Sequence, residues 1–365
     1  MGLRPDIAIV GAGMGGLALS AALAKLGLEA TVYEQARQFT RLGAGIQMSP
    51  NAMQVLRGLG LEEQVRDTAF RPTAWDNRAH DSGAMMFQLP LGDAAEALYG
   101  APYLQMHRAD LHGALLAAVP PDWIKRGKTA THVKDGCLTF ADGEIVEPDL
   151  IVGADGLHSS VRRALAGPDA PVATGKVAYR ATFPASLIGR EIGECVKWWG
   201  PDRHIVIYYT TAARDEVYFV TSLPDPDWAS ESWSAKGDMA VVQDAFQNFH
   251  EEVRAVLAGC PSVHRWAILD RPPLDRWHNG RMVLLGDAAH PMTPYMAQGA
   301  ATAMEDAVVL ARALSEGGVM ALDRYQTARK ARTAEIQAVS HANTWMRAET
   351  DPGWCYGYDA WSVEF

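Results

Sequence analysis

The sequence predicts an α/β protein: a parallel sheet with helices on its faces, an inserted antiparallel sheet, and closing C-terminal helices. Three observations carry that expectation. An apolar run, a glycine-rich turn, an Ala- and Leu-rich stretch and a second apolar run follow one another from Ile7 to Glu34. From Gly175 to Leu223 the texture becomes aromatic and β-branched, broken by polar turns. From Ala300 to Trp345 the pattern is mostly that of long helix.

Each element has its own reason. Residues 7–10 are a short apolar run stopped by glycines, the mark of a buried strand. Residues 14–26 read as a helix that stops at Gly27, and 30–34 as a second strand, which makes a βαβ opening. Helices are expected at 51–59 and at 111–119, the latter starting near Asp110, and a buried strand at 149–152. Residues 177–183, 195–199, 205–210 and 216–221 read as antiparallel strands. Residues 239–257 turn helical, 281–285 form another apolar strand, and the tail from Asp351 is aromatic and irregular. The dinucleotide-type domain is therefore discontinuous, with residues 1–170 and 271–365 flanking a sheet domain at 171–270.

Composition narrows the partners. A chain of 365 residues exceeds what one compact core usually fills, which fits two interleaved domains. Hydrophobic residues at 48% and charged residues at 21% are a globular mix. The net charge, 33 − 43 = −10, argues against nucleic acid or anionic membrane as partner, yet leaves room for a local basic pocket. The first six residues lack a signal-peptide shape, and the run after them is too short and glycine-rich to span a membrane. Cys137, Cys195, Cys260 and Cys355 lie far apart without a CxxC pair, so a reducing cytoplasm and no metal site are expected.

Gly11-Ala-Gly13-Met-Gly15-Gly16 is a GxGxxG fingerprint between a strand and a helix. Gly11 permits the tight turn, Gly13 admits a pyrophosphate, and Gly16 allows helix and strand to pack closely. The helix start offers free N–H groups and a positive dipole end. Glu34 ends the second strand, where a carboxylate accepts ribose hydroxyls. This much fits FAD or NAD equally. Two further strand-turn segments follow: Asp155-Gly156, with Ser159 or Ser160 as helix cap, and Gly286-Asp287, before His290-Pro291. An extended cofactor needs such additional acids along its ribityl chain.

In this order and spacing the three segments resemble the class A flavoprotein monooxygenases, over residues 7–358. The resemblance implies a GR2-type, Rossmann-like FAD-binding domain in the para-hydroxybenzoate hydroxylase fold. It implies that Gly11, Gly13, Gly15, Gly16 and Glu34 hold the adenosine half of FAD. Asp155 and Gly156 are implied to serve FAD and NAD(P)H, Arg108 the pyrophosphate, and Gly286 with Asp287 the ribityl phosphate. Arg41, Leu42, Gly43, Ala44 and Gly45 match the loop beside the flavin. Pro294, Gly299 and Ala300 belong to the segment facing the isoalloxazine, where a helix dipole would stabilise the reduced ring. The chain has no room for a separate nicotinamide domain, which fits a transient visit by NADH.

Cys195-Val-Lys-Trp-Trp199, Asp202-Arg-His204, Tyr208-Tyr209, Met296-Ala-Gln-Gly299 and Ala342-Asn-Thr-Trp345 resemble a narrower subgroup, the 6-hydroxynicotinate hydroxylases. The resemblance implies NADH and O2 as co-substrates, a C4a-hydroperoxyflavin, and replacement of a ring carboxylate by hydroxyl with loss of CO2. Tyr208, His204 and Cys195 match its pocket positions. Gln47 and Tyr295 stand where the subgroup has histidines. A glutamine cannot act as base near neutral pH, so another para-hydroxy or para-amino aromatic acid, or salicylate, is an alternative substrate. His290 reads as packing rather than catalysis. Lys197 either binds a carboxylate or faces solvent, and Arg180 is a further carboxylate candidate. A flavin oxidase or dehydrogenase and a non-catalytic flavoprotein are the rival readings. A monomer or homodimer is expected, with a small aromatic acid as its partner.

Overall fold

The computed structural model describes residues 5–41, 44–226, 228 and 235–364. A five-stranded parallel sheet runs in the order Met282–Leu284, Leu150–Gly153, Ile7–Val10, Thr31–Glu34, Ile124–Arg126. Ile7–Val10 is buried throughout and sits centrally, as its unbroken apolar run requires. The helices Met14–Lys25 and Gly299–Gly317 pack against each other and share one large core with this sheet. Among the described residues no helix is long and apolar enough to cross a membrane.

The fingerprint glycines have distinct jobs. Gly11 has φ +102°, and a Cβ there would stand 2.4 Å from the Ala154 carbonyl oxygen. At Gly16 it would stand 2.0 Å from the Gly11 oxygen, and at Gly15 2.5 Å from Leu285 Cδ1. These three close the backbone against the rest of the protein. Only Gly13 faces open space, with nothing within 4 Å of its would-be Cβ.

The second sheet has seven strands in the order His264–Asp270, Val172–Pro184, Glu216–Pro224, His204–Tyr209, Cys195–Trp199, Ala74–Ala79, Met85–Pro90. Its inserted strands pair antiparallel, as their alternation predicts. The expected boundary of 171–270 needs correction. The hairpin 74–90 joins the same sheet, and Ala74–Ala79 pairs parallel with Cys195–Trp199. Ala-Trp-Asp-Asn-Arg-Ala carries no strong period of two, so nothing local announces this strand; its partner, more than a hundred residues away, makes it one.

Alternation divides the sheet into two faces. Tyr179, Ala181, Phe183, Val196, Trp198, Ile205, Ile207, Val217 and Phe219 form an apolar outer face under the helices Met239–Ala245 and Glu251–Gly259. The expected single helix over 239–257 is thus two, with the second capped by the His250 side chain. The inner face carries Cys195, Val206, Tyr208 and Tyr218 against Trp345, Met346 and Tyr356 of the C-terminal segment. A three-stranded meander over 130–146, unforeseen in the sequence, packs beside the helix Ser160–Ala166.

Gly16→Ala is expected to destabilise the protein by about 1–3 kcal/mol through overpacking. Thermal denaturation of the apoprotein measures it.

Candidate functional site

Two helix starts open onto unfilled space. The helix Met14–Lys25 begins at Gly13 with no side-chain cap and no acid in its first turn. The helix Gly299–Gly317 likewise begins uncapped and without an acid, and nothing lies closer to a would-be Cβ on Gly299 than Met292 Cγ at 4.0 Å. Their unfilled N–H ends suit a phosphate and an electron-rich ring. Gly299 and Ala300 are half-buried here, and Pro294 is exposed at the start of the turn Pro294–Met296.

The acids divide by commitment. Glu34 accepts the Ala12 and Ala36 amides at 2.8 and 2.7 Å, which holds the fingerprint turn against the second strand. Asp155 accepts the Ser159 hydroxyl, and the Ser160 amide and hydroxyl at 2.7 and 2.9 Å. Its carboxylate is thus engaged in anchoring the helix start that Ser159 caps through the Arg162 amide. Gly286, at φ +57°, donates its N–H to Asp306 at 3.0 Å and presses on Ala303. That turn leaves Asp287 exposed, in electrostatic contact with Arg108, whose own charge is opposed by burial. Arg108 follows the strand Leu104–His107 and begins the helix Arg108–Ala117, three residues earlier than expected because His107 caps it. Arg41 is exposed and ion-paired with Asp110, while Leu42 and Gly43 lie outside the described residues.

Behind both open ends lies a buried ion network. Arg329 binds Asp306 at 2.7 Å and Glu305 at 2.6 Å, and Arg332 binds Glu305 at 2.9 Å. Asn51 bridges Glu305, at 2.6 Å, to Gln298, at 2.9 Å. His290 donates through Nε2 to Asp306 at 2.5 Å, so it belongs to this framework rather than to a reacting centre. Burial pushes the Glu305 carboxyl up, but Arg332 and Arg329 outweigh it and hold it below its ordinary value. Asp306 is lowered likewise, with burial opposed by His290 and Arg329.

The inner sheet face assembles the remaining candidates. Cys195 pairs with Tyr208 and Tyr208 with Tyr218, while His204 pairs with Trp199 and Ser222. Tyr208 and His204 therefore share one face, as their spacing predicts. Ala44 is buried, and a Cβ on Gly45 would stand 2.7 Å from both Tyr208 Oη and the Tyr218 ring. The flavin-side loop thus touches the sheet directly. Gln47 is buried with Nε2 3.7 Å from Cys195 Sγ. Tyr295 shares a hydrogen bond of 3.0 Å with Ser222 and meets the His204 ring edge-on at 5.3 Å.

Burial raises the Tyr208 phenol and the Cys195 thiol well above their ordinary values and pushes Tyr218 up to about 12. It lowers His204, with Lys197 and Lys176 adding to the effect. At neutral pH these are uncharged groups: Tyr208 is a hydrogen-bond donor, and neither it nor His204 is a strong base. Lys197 does not face solvent. It is 2% exposed and lies over the Trp199 ring at 3.8 Å. Arg180 is also buried, stacked over Trp266 at 4.1 Å. Sequence reasoning missed Tyr218 and Ser222. Their signal was strand alternation, which assigns a face only once the register between strands is known.

Open glycine-lined helix ends beside a polar sheet face suit an extended dinucleotide cofactor and a small ring, and the relatives of this chain make it a flavoprotein monooxygenase that hydroxylates aromatic compounds. The family model described as FAD binding domain matches residues 4–340, and the chain belongs to that family. It is 42% identical to the 6-hydroxynicotinate 3-monooxygenase of Bordetella bronchiseptica, across 98% of this chain and 96% of that one. It is 38% identical to the 3-amino-4-hydroxybenzoate 2-monooxygenase of Streptomyces cremeus, across 97% and 95%. The solved structure of Klebsiella pneumoniae HpxO with FAD and uric acid superposes with TM-score 0.82 at 25% identity, covering 96% and 90%.

Arg329→Met is expected to cost about 3–5 kcal/mol at neutral pH by taking a cationic partner from each of two buried carboxylates. Because both carboxyls are held low, the deficit relative to wild type is full above about pH 4 and shrinks as they protonate below it. Urea denaturation of the flavin-loaded proteins across pH measures both effects.

Proposed function

We propose that this monooxygenase uses NADH and O2 to hydroxylate a small aromatic acid carrying a para oxygen or nitrogen, with loss of CO2 where the attacked carbon bears the carboxylate. The observation that carries the reading is the contact of Gly45 with Tyr208 and Tyr218, which sets a wall of uncharged polar groups beside the flavin-side loop. Gly11, Gly13, Gly15, Gly16 and Glu34 shape the adenosine end of the FAD site. Arg108 and Asp287 serve its pyrophosphate and ribityl parts, Gly156 offers backbone beside Asp155, and Arg41, Ala44, Gly45, Pro294, Gly299 and Ala300 frame the ring. Bound FAD, once reduced, supplies the oxygen-transferring chemistry with O2.

The chain's own residues orient and desolvate the substrate. Tyr208, held protonated, donates to the para oxygen and stabilises the anionic form from which the ring attacks. Gln47 hydrogen-bonds the same ring edge beside the Cys195 thiol. His204 and Tyr295 close the opposite end, where the Tyr295 hydroxyl is tied to Ser222. Where the attacked carbon bears a carboxylate, the ring gains hydroxyl, and departure of CO2 leaves its electron pair to restore aromaticity. Gln47 cannot take a proton, which favours a substrate able to reach its anionic form against a donor alone, such as an aminated or hydroxylated benzoate.

Mass spectrometry of the products from 6-hydroxynicotinate, 4-hydroxybenzoate, 4-aminobenzoate and salicylate tests the reading. Hydroxylated product from at least one acid is expected, and peroxide alone from all four overturns it. Tyr208→Phe should retain FAD yet lose turnover on the order of 100-fold or more, read from steady-state kcat. Gln47→His should raise activity on 6-hydroxynicotinate relative to wild type, and an unchanged rate would place the ring elsewhere.

A further inference from the structure

We propose that Lys197 receives the substrate's carboxylate and thereby selects which ring carbon is presented to the flavin, an assignment that rests on the hydroxylase reading above. Its ammonium is buried at 2% exposure, on the inner sheet face between Cys195 and Trp199. Among the described residues no acid pairs with it; its recorded contact is the face of the Trp199 ring at 3.8 Å. The charged groups that act on it, Arg347 and Lys176, have its own sign. A buried cation with cationic neighbours and no counterion is costly, and an incoming carboxylate offsets that cost. Consistent with this, burial, with Arg347 and Lys176, pushes the lysine down to about 7.

The surroundings fit the same ligand. A cavity of about 350 Å³ is lined by Lys176, Trp199, His204, Tyr295, His341 and Arg347, and Lys197 adjoins it through the Trp199 ring on which it stacks. The acid at its rim, Asp202, is already paired with Arg203 through both oxygens. The groove is thus cationic in a chain of net charge −10. Lys197 stands two residues from Cys195 on one face, about 7 Å along a strand, which is the span of a single-ring acid. A ring oxygen at Gln47 and Tyr208 therefore leaves the carboxylate of the same molecule at Lys197. This places the carboxylate by charge and the oxygen by neutral hydrogen bonds, so the two ends cannot exchange.

Four probes separate the carboxylate from the rest of the ring: 6-hydroxynicotinate, 6-hydroxynicotinamide, 4-hydroxybenzoate and 4-hydroxybenzamide. Their binding to the flavin-loaded enzyme is read from flavin absorbance. Lys197→Met should bind the acids roughly 10- to 100-fold more weakly and the amides as wild type does. Equal weakening of acid and amide means a packing role, and no change means the carboxylate lies elsewhere; either overturns the assignment. Wild type that carries FAD but binds none of the acids overturns the hydroxylase reading itself.

A second measurement needs no variant. In wild type the preference for acid over amide should fall as pH rises from about 6 to about 9, because Lys197 must be protonated to receive the carboxylate. His204 and Cys195, which face Lys197, are held uncharged by burial through this range. A flat preference overturns the assignment even where Lys197→Met fails to fold.

Discussion

The cluster of Glu305, Asp306, Arg329 and Arg332 is the constraint on which the rest of the site depends. Two carboxylates inside a protein core are tolerable only when every oxygen is met, and here each is. Meeting them locks four separate stretches of chain together. Asp306 holds the Gly286 turn and His290, Glu305 reaches Asn51 and through it Gln298, and the arginines come from the helix Leu322–Ala342. Arg332 also binds the Trp354 and Cys355 carbonyls, so the aromatic tail is tied to the same point. The exposed Asp287 and the open start of Gly299–Gly317 are therefore placed by the buried charges packed behind them.

The second constraint is the pleat of the seven-stranded sheet. One face spends its apolar side chains on the helices that cover it, while the other keeps polar groups away from water. Burial of that inner face then sets its chemistry. It makes Tyr208 and Tyr218 permanent donors, Cys195 an inert thiol and His204 a neutral ring, and it pushes the Lys197 amine down to about 7. A dry, preorganised face of this kind suits a reaction in which charge develops on a ring and water must be kept out.

Much of this was legible in the chain. The strand-glycine-helix opening, the positions of Gly11, Gly16 and Glu34, and the shared face of Tyr208 and His204 all follow from local sterics and a period of two. Other features were not legible. The hairpin 74–90 has no pattern of its own and becomes sheet only by pairing with Cys195–Trp199. Asp155 looked like a ligand acid, yet its neighbours Ser159 and Ser160 claim its oxygens. Gly15 reads as part of a phosphate loop, but its space is taken by Leu285 and Ala303 from the far end of the chain.

By itself the sequence determined the class of fold, the flavin fingerprint and the set of polar residues available for chemistry, because these rest on spacing and residue type. Only the tertiary structure decided which of those residues are charged, which are spent on holding the framework, and which meet across the sheet. Register between distant strands and burial among distant helices are long-range properties. A lysine that local pattern leaves equally suited to solvent or to a ligand becomes, once folded, a buried amine stacked on Trp199.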